Sequence, residues 1–552
     1  MNQLMSLKFA FKLAILLFFI SGYNYCQKVT GNLNHKKKSN EVWTPDNGNG
    51  TYKNPIIFAD YSDPDVIRVG DDFFMTSSSF VHTPGLPILH SKDLVNWKIV
   101  NHVFENIPYG NFVKPMHGNG IWAPSIRYHN GEFFIYYGDP DYGIFMSKTK
   151  NPFGKWQPLV LVKKSKGWID PCPLWDDNGN AYLVHAWANS RSGIKSKLTV
   201  NKLSQDGTKI LDDGVFVFDG TKDHPTIEGP KFYKRNGYYY IFAPAGGVPT
   251  GWQTVLRSKN IYGPYENKIV LHQGTTQING PHQGGWVETQ TGEDWFIHFQ
   301  DRDAYGRIVH LQPMKWINDW PIIGIDKNKN GISEPVLVFR KPNVGKIFPI
   351  QVPQTSDEFN SKKLGLQWQW EANHNEKWYS LSAVKGKLRL FSQQFETDST
   401  NIYDLPNVIG QKFPAEKFVV TTKLEFEPKT IDERTGLVIL GMDYAALFVA
   451  KTDDGLKLFQ SVCFHADQNG NEKIIESRTI DKNSIVLRVS VYEGAVCSFS
   501  FSLDGKTFSP IGKNFIARKG KWVGAKVGLF ASASKKNITT GYADYDWLRF
   551  TK

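Results

Sequence analysis

Ser62-Asp63-Pro64-Asp65-Val66-Ile67-Arg68-Val69-Gly70-Asp71-Asp72-Phe73-Phe74-Met75 is the stretch on which the fold of this chain turns. A polar residue leads into proline, a short strand runs to a turn with glycine, and an aromatic strand follows. The order returns as Trp122-Ala123-Pro124 through Asn130-Gly131 to Phe133-Phe134-Ile135-Tyr136, and as Asp170-Pro171 through Asn178-Gly179 to Ala181-Tyr182-Leu183. It returns again as Glu228-Gly229-Pro230 through Asn236-Gly237 to Tyr238-Tyr239-Tyr240-Ile241. A looser fifth copy runs from His282-Gln283-Gly284-Gly285 through Thr291-Gly292 to Trp295-Phe296-Ile297. The turn glycines at 70, 131, 179, 237 and 292 are separated by 61, 48, 58 and 55 residues. Asn and Gly accept the positive φ of tight hairpin turns, so each copy reads as a hairpin. A hairpin recurring about every 50 residues cannot bury both its faces alone, which suggests propeller blades stacked side by side. Five copies predict an all-β, five-bladed propeller over residues 51–345.

Working outward, Arg340-Lys341-Pro342-Asn343-Val344-Gly345 and the segment Pro349 to Pro353 read as a linker. Residues 346–552 change character. Runs such as Lys387-Leu388-Arg389-Leu390-Phe391, Val419 to Phe426 and Ser484 to Val491 partly alternate and are separated by turns. They predict a two-sheet β-sandwich. Its ends carry Asp357-Glu358 and Asp544-Tyr545-Asp546, carboxylates able to hold a structural calcium or simply to charge an exposed edge.

In the other direction, residues 28–50 are polar, rich in Asn, Lys and Gly, and read as a mobile linker. Before them Lys8 and Lys12 precede the apolar run Leu13 to Ile20, which ends at Ser21-Gly22. The run is too short to span a bilayer and fits a signal peptide over residues 1–27. It predicts export to the periplasm or beyond, with a lipid-anchored Cys26 as the alternative. No later stretch reads as transmembrane. Without Cys26 three cysteines remain, Cys172, Cys463 and Cys497, too few for a disulfide scaffold. Cys463 and Cys497 either pair or stay separate buried thiols. The net charge of +12 is spread along the chain with no groove-reading motif, which argues against nucleic acid as a partner.

In a propeller the first strand of each blade lines the axis, so residues at the starts of the repeats converge at one mouth of the channel. Asp63, Asp170 and Glu228 stand at those starts in copies one, three and four. Taken singly, Asp before Pro is a common turn element. Three carboxylates in one register are a different matter. Brought together they repel and push their proton affinities apart, which is what cleavage of a glycosidic bond requires. One carboxylic acid protonates the leaving oxygen while a carboxylate activates water.

These residues, with Asn54-Pro55-Ile56, His90-Ser91-Lys92-Asp93-Leu94-Val95-Asn96-Trp97, Trp122-Ala123-Pro124, Trp168-Ile169-Asp170-Pro171, Ile227-Glu228-Gly229-Pro230 and Tyr305-Gly306-Arg307, closely resemble glycoside hydrolase family 43. The likeness spans the repeat region, and the C-terminal part resembles the concanavalin A-like sandwich appended to β-xylosidase-type members. The resemblance implies an inverting glycosidase with Asp63 as general base, Glu228 as general acid and Asp170 as the carboxylate that tunes and orients the acid. Base and acid are then expected about 6.5–9.5 Å apart, with room for water between them. It implies that His282 lies near a calcium ion in the channel or near that ion's water shell, although no cofactor is needed for the chemistry itself. Arg307 is expected to reach the sugar, with an inter-blade ion pair as its rival. Phe80 and Trp122 are expected to wall the sugar site.

The reading at this level is an exo-acting enzyme that removes terminal pentoses from plant-polysaccharide side chains. The Tyr61-Ser62-Asp63-Pro64-Asp65 and Ser77-Ser78-Ser79-Phe80 stretches incline it toward α-L-arabinofuranosidase. A β-D-xylosidase or a bifunctional enzyme is the alternative within the family. From another class, a carbohydrate-binding propeller without activity would be expected to have lost one of the three acids. A related fructan hydrolase would carry a Trp-Met-Asn-Asp-Pro-Asn type of motif, which is absent from the first repeat.

Overall fold

A computed structural model describes residues 41–394, 401–534 and 541–552. The apolar N-terminal run and its cleavage site lie outside the described residues. Five four-stranded antiparallel sheets, each in sequential strand order, form the five blades of a propeller. Their first strands are Asp65–Val69, Trp122–His129, Trp168–Trp175, Lys231–Arg235 and His282–Glu288. Each first strand contacts the neighbouring blades, and that of the fifth blade returns to touch that of the first. The hairpin turns form as the composition dictates. Asn130 and Gly131 have φ of 49° and 82°, and the glycines at 70, 179, 237 and 292 are likewise left-handed.

Every blade is built from a contiguous stretch of chain, so among the described residues no strand borrowed from the other end of the sequence staples the ring. Closure comes from outside the blades. Thr51–Lys53 pairs antiparallel with Val338–Arg340. Ile57 bridges Val309 on the third strand of the fifth blade. The Asn54 side chain donates to the carbonyls of Leu311 and Val336 and accepts from the Leu311 N–H.

The described part of the stretch read as a mobile linker, residues 41–50, is instead docked. Asp46 is buried, accepts from Asn96 and pairs with Lys341, while Lys53 lies over the Trp43 ring. A polar composition concealed the partners of Asp46, which lie 50 and 295 residues away in sequence.

Residues 357–552 form two eight-stranded sheets packed face to face as a concanavalin A-like sandwich. Its inner layer alternates cleanly along Phe418–Glu427, where Phe418, Val420, Leu424 and Phe426 are buried between half-exposed neighbours. The core does not stop at the domain edge. Phe58, Ala304, Tyr305 and Ile308 of the propeller belong to the same buried apolar cluster as the sandwich interior. Cys463 and Cys497 sit in different sheets as separate buried thiols. The carboxylates at the sandwich ends do not fit a calcium site. Glu358 is held bidentate by Arg549, Asp544 bidentate by Arg389, and Asp546 by Lys423, while Asp357 accepts from Phe359 N–H and the Trp368 indole.

Candidate active site

The blade starts share a backbone device. Asp63, Ala123, Asp170, Gly229 and Gln283 all have positive φ, between 30° and 59°, and the first four directly precede proline. A left-handed residue there turns the chain from the connecting loop onto the axis. Asp63 and Asp170 therefore occupy equivalent positions, but Glu228 does not. Its equivalents are Ser62, Trp122, Ile169 and His282, one residue earlier. The expected common register of the three acids is thus off by one for Glu228. The cause is local. Gly229 takes the left-handed position, and any Cβ there would sit 2.6 Å from the Gln283 side chain.

The offset still brings the three carboxylates to one cavity of about 110 Å³, lined also by Phe80, Trp122, Ala123, Ile169, Val248, Gln283, Arg307 and Trp522. Asp63 and Asp170 are buried, whereas the Glu228 side chain is 26% exposed and opens onto the cavity.

Asp63 is gripped by donors. Ser62 Oγ lies 2.8 Å and Ser78 Oγ 2.6 Å from its Oδ2, and Arg307 Nη1 lies 3.1 Å from its Oδ1. Ser78 in turn accepts from the Ala123 N–H at 2.7 Å, which ties the first blade to the second. Arg307 also donates to Ser62 Oγ. The guanidinium lines the cavity, as expected of a sugar contact, yet the rival inter-blade ion pair is what engages its Nη1.

Asp170 accepts the Gly229 N–H at 2.7 Å. Burial pushes its carboxyl above the ordinary range, and that single N–H pulls it back only partly. Among the described residues Glu228 has no lysine or arginine nitrogen within 4 Å, and the His282 Nε2 lies 3.6 Å from its Oε1. Burial raises its pKa, and the charges of Asp170 and then Asp63 raise it further, against a weaker pull from Arg307. Within the trio the proton therefore resides on the Asp170–Glu228 side, while Asp63 faces the positive charge.

Phe80 and Trp122 line the cavity with their ring centroids 6.5 Å apart. Phe80 is clamped by mutual backbone hydrogen bonds with Ile121. Trp122 donates its indole N–H to Gly118 O and meets Trp522 edge-on at 6.3 Å. Trp522 comes from the sandwich and was not expected. Its loop is moored to the segment entering the first blade, with Gly524 N–H on Asp60 Oδ2, and to the fifth blade, with Ala525 N–H on Ala304 O and the Gly524 backbone packed against Gly306. Only glycines at 520 and 524 around a lone aromatic hint at this in the sequence. Gln283 was likewise missed, although it stands where the other repeats place Asp63 and Asp170.

His282 is fully buried, and burial with nearby Arg307 pushes its pKa down to about 3, so the ring is neutral. Neither ring nitrogen has a hydrogen-bond partner in the protein, nor do Gln283 Oε1 and Lys231 Nζ, also buried on first strands or at their starts. A neutral imidazole is a poor direct ligand for a hard cation, which takes six to eight oxygens. The arrangement fits His282 as a contact to the water shell of a hydrated calcium rather than to the ion.

The sequence profile of Glycosyl hydrolases family 43 matches residues 52–321, and that of the Beta xylosidase C-terminal Concanavalin A-like domain matches residues 356–551. A putative beta-xylosidase of Xylanibacter ruminicola is 41% identical, covering 88% of this chain and 87% of its own length. A beta-xylosidase of Formosa agariphila is 32% identical over 92% and 91% of the two chains. A non-reducing end alpha-L-arabinofuranosidase of Bacteroides ovatus is 28% identical over 91% and 94%. The solved structure of a xylan beta-1,4-xylosidase from Bacillus halodurans superposes with a TM-score of 0.80 at 25% identity, over 91% of this chain and all of the other. Blades, carboxylate pocket and appended sandwich therefore have one explanation: the chain belongs to glycoside hydrolase family 43 and is a glycosidase.

Proposed function

We propose that the chain is an inverting, exo-acting β-D-xylosidase that releases terminal xylose from plant xylo-oligosaccharides. The observation that carries the reaction is the split within one small pocket between a carboxylate paired with arginine and a buried carboxyl kept protonated by its neighbours. Glu228 gives its proton to the glycosidic oxygen as the C–O bond breaks. Asp63 takes a proton from a water molecule, whose oxygen attacks the anomeric carbon from the opposite face, so the configuration inverts. The cycle leaves Asp63 protonated and Glu228 ionised, and proton exchange with solvent resets both. Asp170 holds Gly229 through its backbone N–H, fixing the peptide next to Glu228, and its negative charge keeps the acid protonated. A hydrated calcium, when bound, would supply positive charge near the carboxylates; the residues that would face its water shell are His282 and Gln283.

The sugar assignment departs from the arabinofuranosidase inclination of the sequence. Two of the three relatives above carry the β-xylosidase name, including the one at 41% identity, and the appended domain is of the β-xylosidase type. Within the stretches behind that inclination, Ser62 and Ser78 both donate to the Asp63 carboxylate, a role that does not discriminate between the two sugars. Arabinofuranoside cleavage remains the second reading, favoured by the name of the Bacteroides relative. The Trp522 wall supports a closed pocket and hence exo-action. The N-terminal apolar run supports work in the periplasm or outside the cell.

The test is the ratio of kcat/KM on 4-nitrophenyl β-D-xylopyranoside and α-L-arabinofuranoside, with the anomer first released followed by proton NMR. Xyloside preference with initial α-xylose supports the proposal. Arabinoside preference reverses the sugar, and initial β-xylose removes the inverting mechanism.

A further inference from the structure

Outside the pocket, three side chains with metal-binding atoms meet where the propeller joins the sandwich. His82 follows the Phe80 loop of the first blade, His117 lies in the connection to the second blade, and Glu371 follows the sandwich strand Gln369–Trp370. His82 Nε2 is 3.1 Å and His117 Nδ1 3.9 Å from the same oxygen, Glu371 Oε2, and the three atoms all lie within 4.8 Å of one another. The side chains are 4%, 13% and 3% exposed.

The other nitrogen of each ring is already committed. His82 Nδ1 is 3.0 Å from Ser79 O, and His117 Nε2 is 2.8 Å from Tyr403 O. A carbonyl only accepts, so each of those nitrogens carries the hydrogen. In the neutral rings the lone pairs of His82 Nε2 and His117 Nδ1 then point toward the carboxylate oxygen, an arrangement of three acceptors with no donor between them. Imidazoles that donate one N–H to a backbone carbonyl and aim the other nitrogen at a common point are oriented as metal ligands are. Lys526 takes the other oxygen, Glu371 Oε1, at 2.8 Å, leaving Oε2 for the shared point. The scaffold on both sides is stiff. Thr83 and Trp370 exchange backbone hydrogen bonds, Thr83 Oγ1 donates to Ala372 O, and His117 stacks on Tyr403 at 3.8 Å.

We propose that His82, His117 and Glu371 bind a divalent transition cation, zinc first among them, as a clamp between the propeller and the sandwich. Two imidazole nitrogens and one carboxylate oxygen suit zinc and do not suit calcium or magnesium, which require mostly oxygen ligands. A tetrahedral zinc with bonds of about 2.0–2.1 Å sets its ligand atoms about 3.3 Å apart. The separation of 3.1 Å already matches, and a small swing of the His117 ring closes the other two. Water takes the fourth position. The clamp reaches the pocket through short stretches of chain: His82 is two residues from Phe80, and His117 adjoins Gly118, whose carbonyl holds the Trp122 indole. This site is separate from the channel position beside His282 in both ligand type and place.

The test uses untagged full-length protein stripped with a chelator, reloaded with zinc and passed through gel filtration before elemental analysis. Wild type should retain one zinc per chain, and His82→Gln and His117→Gln should retain none. Cobalt(II) in place of zinc should give wild type, but neither variant, the strong visible bands of four-coordinate cobalt. Zinc should raise the Tm of stripped wild type by roughly 2–5 °C and leave the variants unmoved. The proposal is overturned if stripped wild type retains no zinc and shows no cobalt bands, the result expected of a metal-free ion-pair network around Lys526 and Glu371. It is equally overturned if both folded variants keep zinc as wild type does.

Discussion

Glu228 and Glu371 are the same residue type, one opening onto the cavity and the other buried between the domains, and the protein holds them in opposite states of charge. Around Glu228 the neighbours are acids, so Asp170 and Asp63 add to burial and push its proton affinity up. Around Glu371 burial also favours the neutral form, but the Lys526 ammonium outweighs it and drives the carboxyl far below its usual range. Desolvation acts with the same sign at both places, so the sign of the outcome is set by who else is present. The first carboxyl is a proton donor in a pocket. The second is an anion bolting two domains together.

The largest effect should come from breaking the first half of that contrast. Glu228→Gln keeps the shape of the side chain but has no proton to give, and should lower kcat on xylobiose by about 10²–10⁴-fold. An aryl xyloside, whose leaving group needs little protonation, should lose much less. Steady-state kinetics on both substrates measures the difference, and equal losses would mean that Glu228 does something other than protonate.

Next comes the second half. Glu371→Gln in metal-free protein strands the Lys526 charge in the domain interface and should cost about 3 kcal/mol in urea unfolding near neutral pH. The pH dependence has a definite sign. A carboxyl depressed in the folded state contributes stability that is present above its ordinary pKa of 4.5 and is lost as pH falls below it. The variant should therefore approach wild type as the pH is lowered from 5 toward 3, whereas a constant gap would point to packing alone.

The smallest and most discriminating change shifts a titration. Replacing Asp170 by Asn removes a negative charge that raises the Glu228 pKa, so the acid should ionise earlier. The alkaline limb of kcat/KM should move down by about one pH unit, on top of any loss in rate. An unmoved limb would assign that limb to a different group.

How much of this was legible in the sequence depended on distance along the chain. The blades were legible because each hairpin announces itself through a turn and two apolar runs within about 15 residues, and Asn130-Gly131 does what those residues do anywhere. Asp63 and Asp170 were legible because the motif that turns the backbone also carries the acid. Glu228 was found, but its register was misjudged by one residue, because the sequence does not print that Gly229 takes the left-handed position. Trp522, His117 and Glu371 were not legible. Their partners lie hundreds of residues away or on another domain, and nothing periodic marks them. The docking of residues 41–50 was missed for the same reason, since Asp46 and Trp43 find their partners only in the folded chain.

The mooring of the Trp522 loop also sets a timetable. A ribosome delivers Asp63 early, completes the ring only once Val338–Arg340 has appeared to pair with Thr51–Lys53, and supplies the Trp522 wall of the pocket only after most of the sandwich has been made. A half-made chain thus carries its acids without the enclosure that gives them a substrate. Competence arrives late and all at once, with the final sheet strands of the second domain.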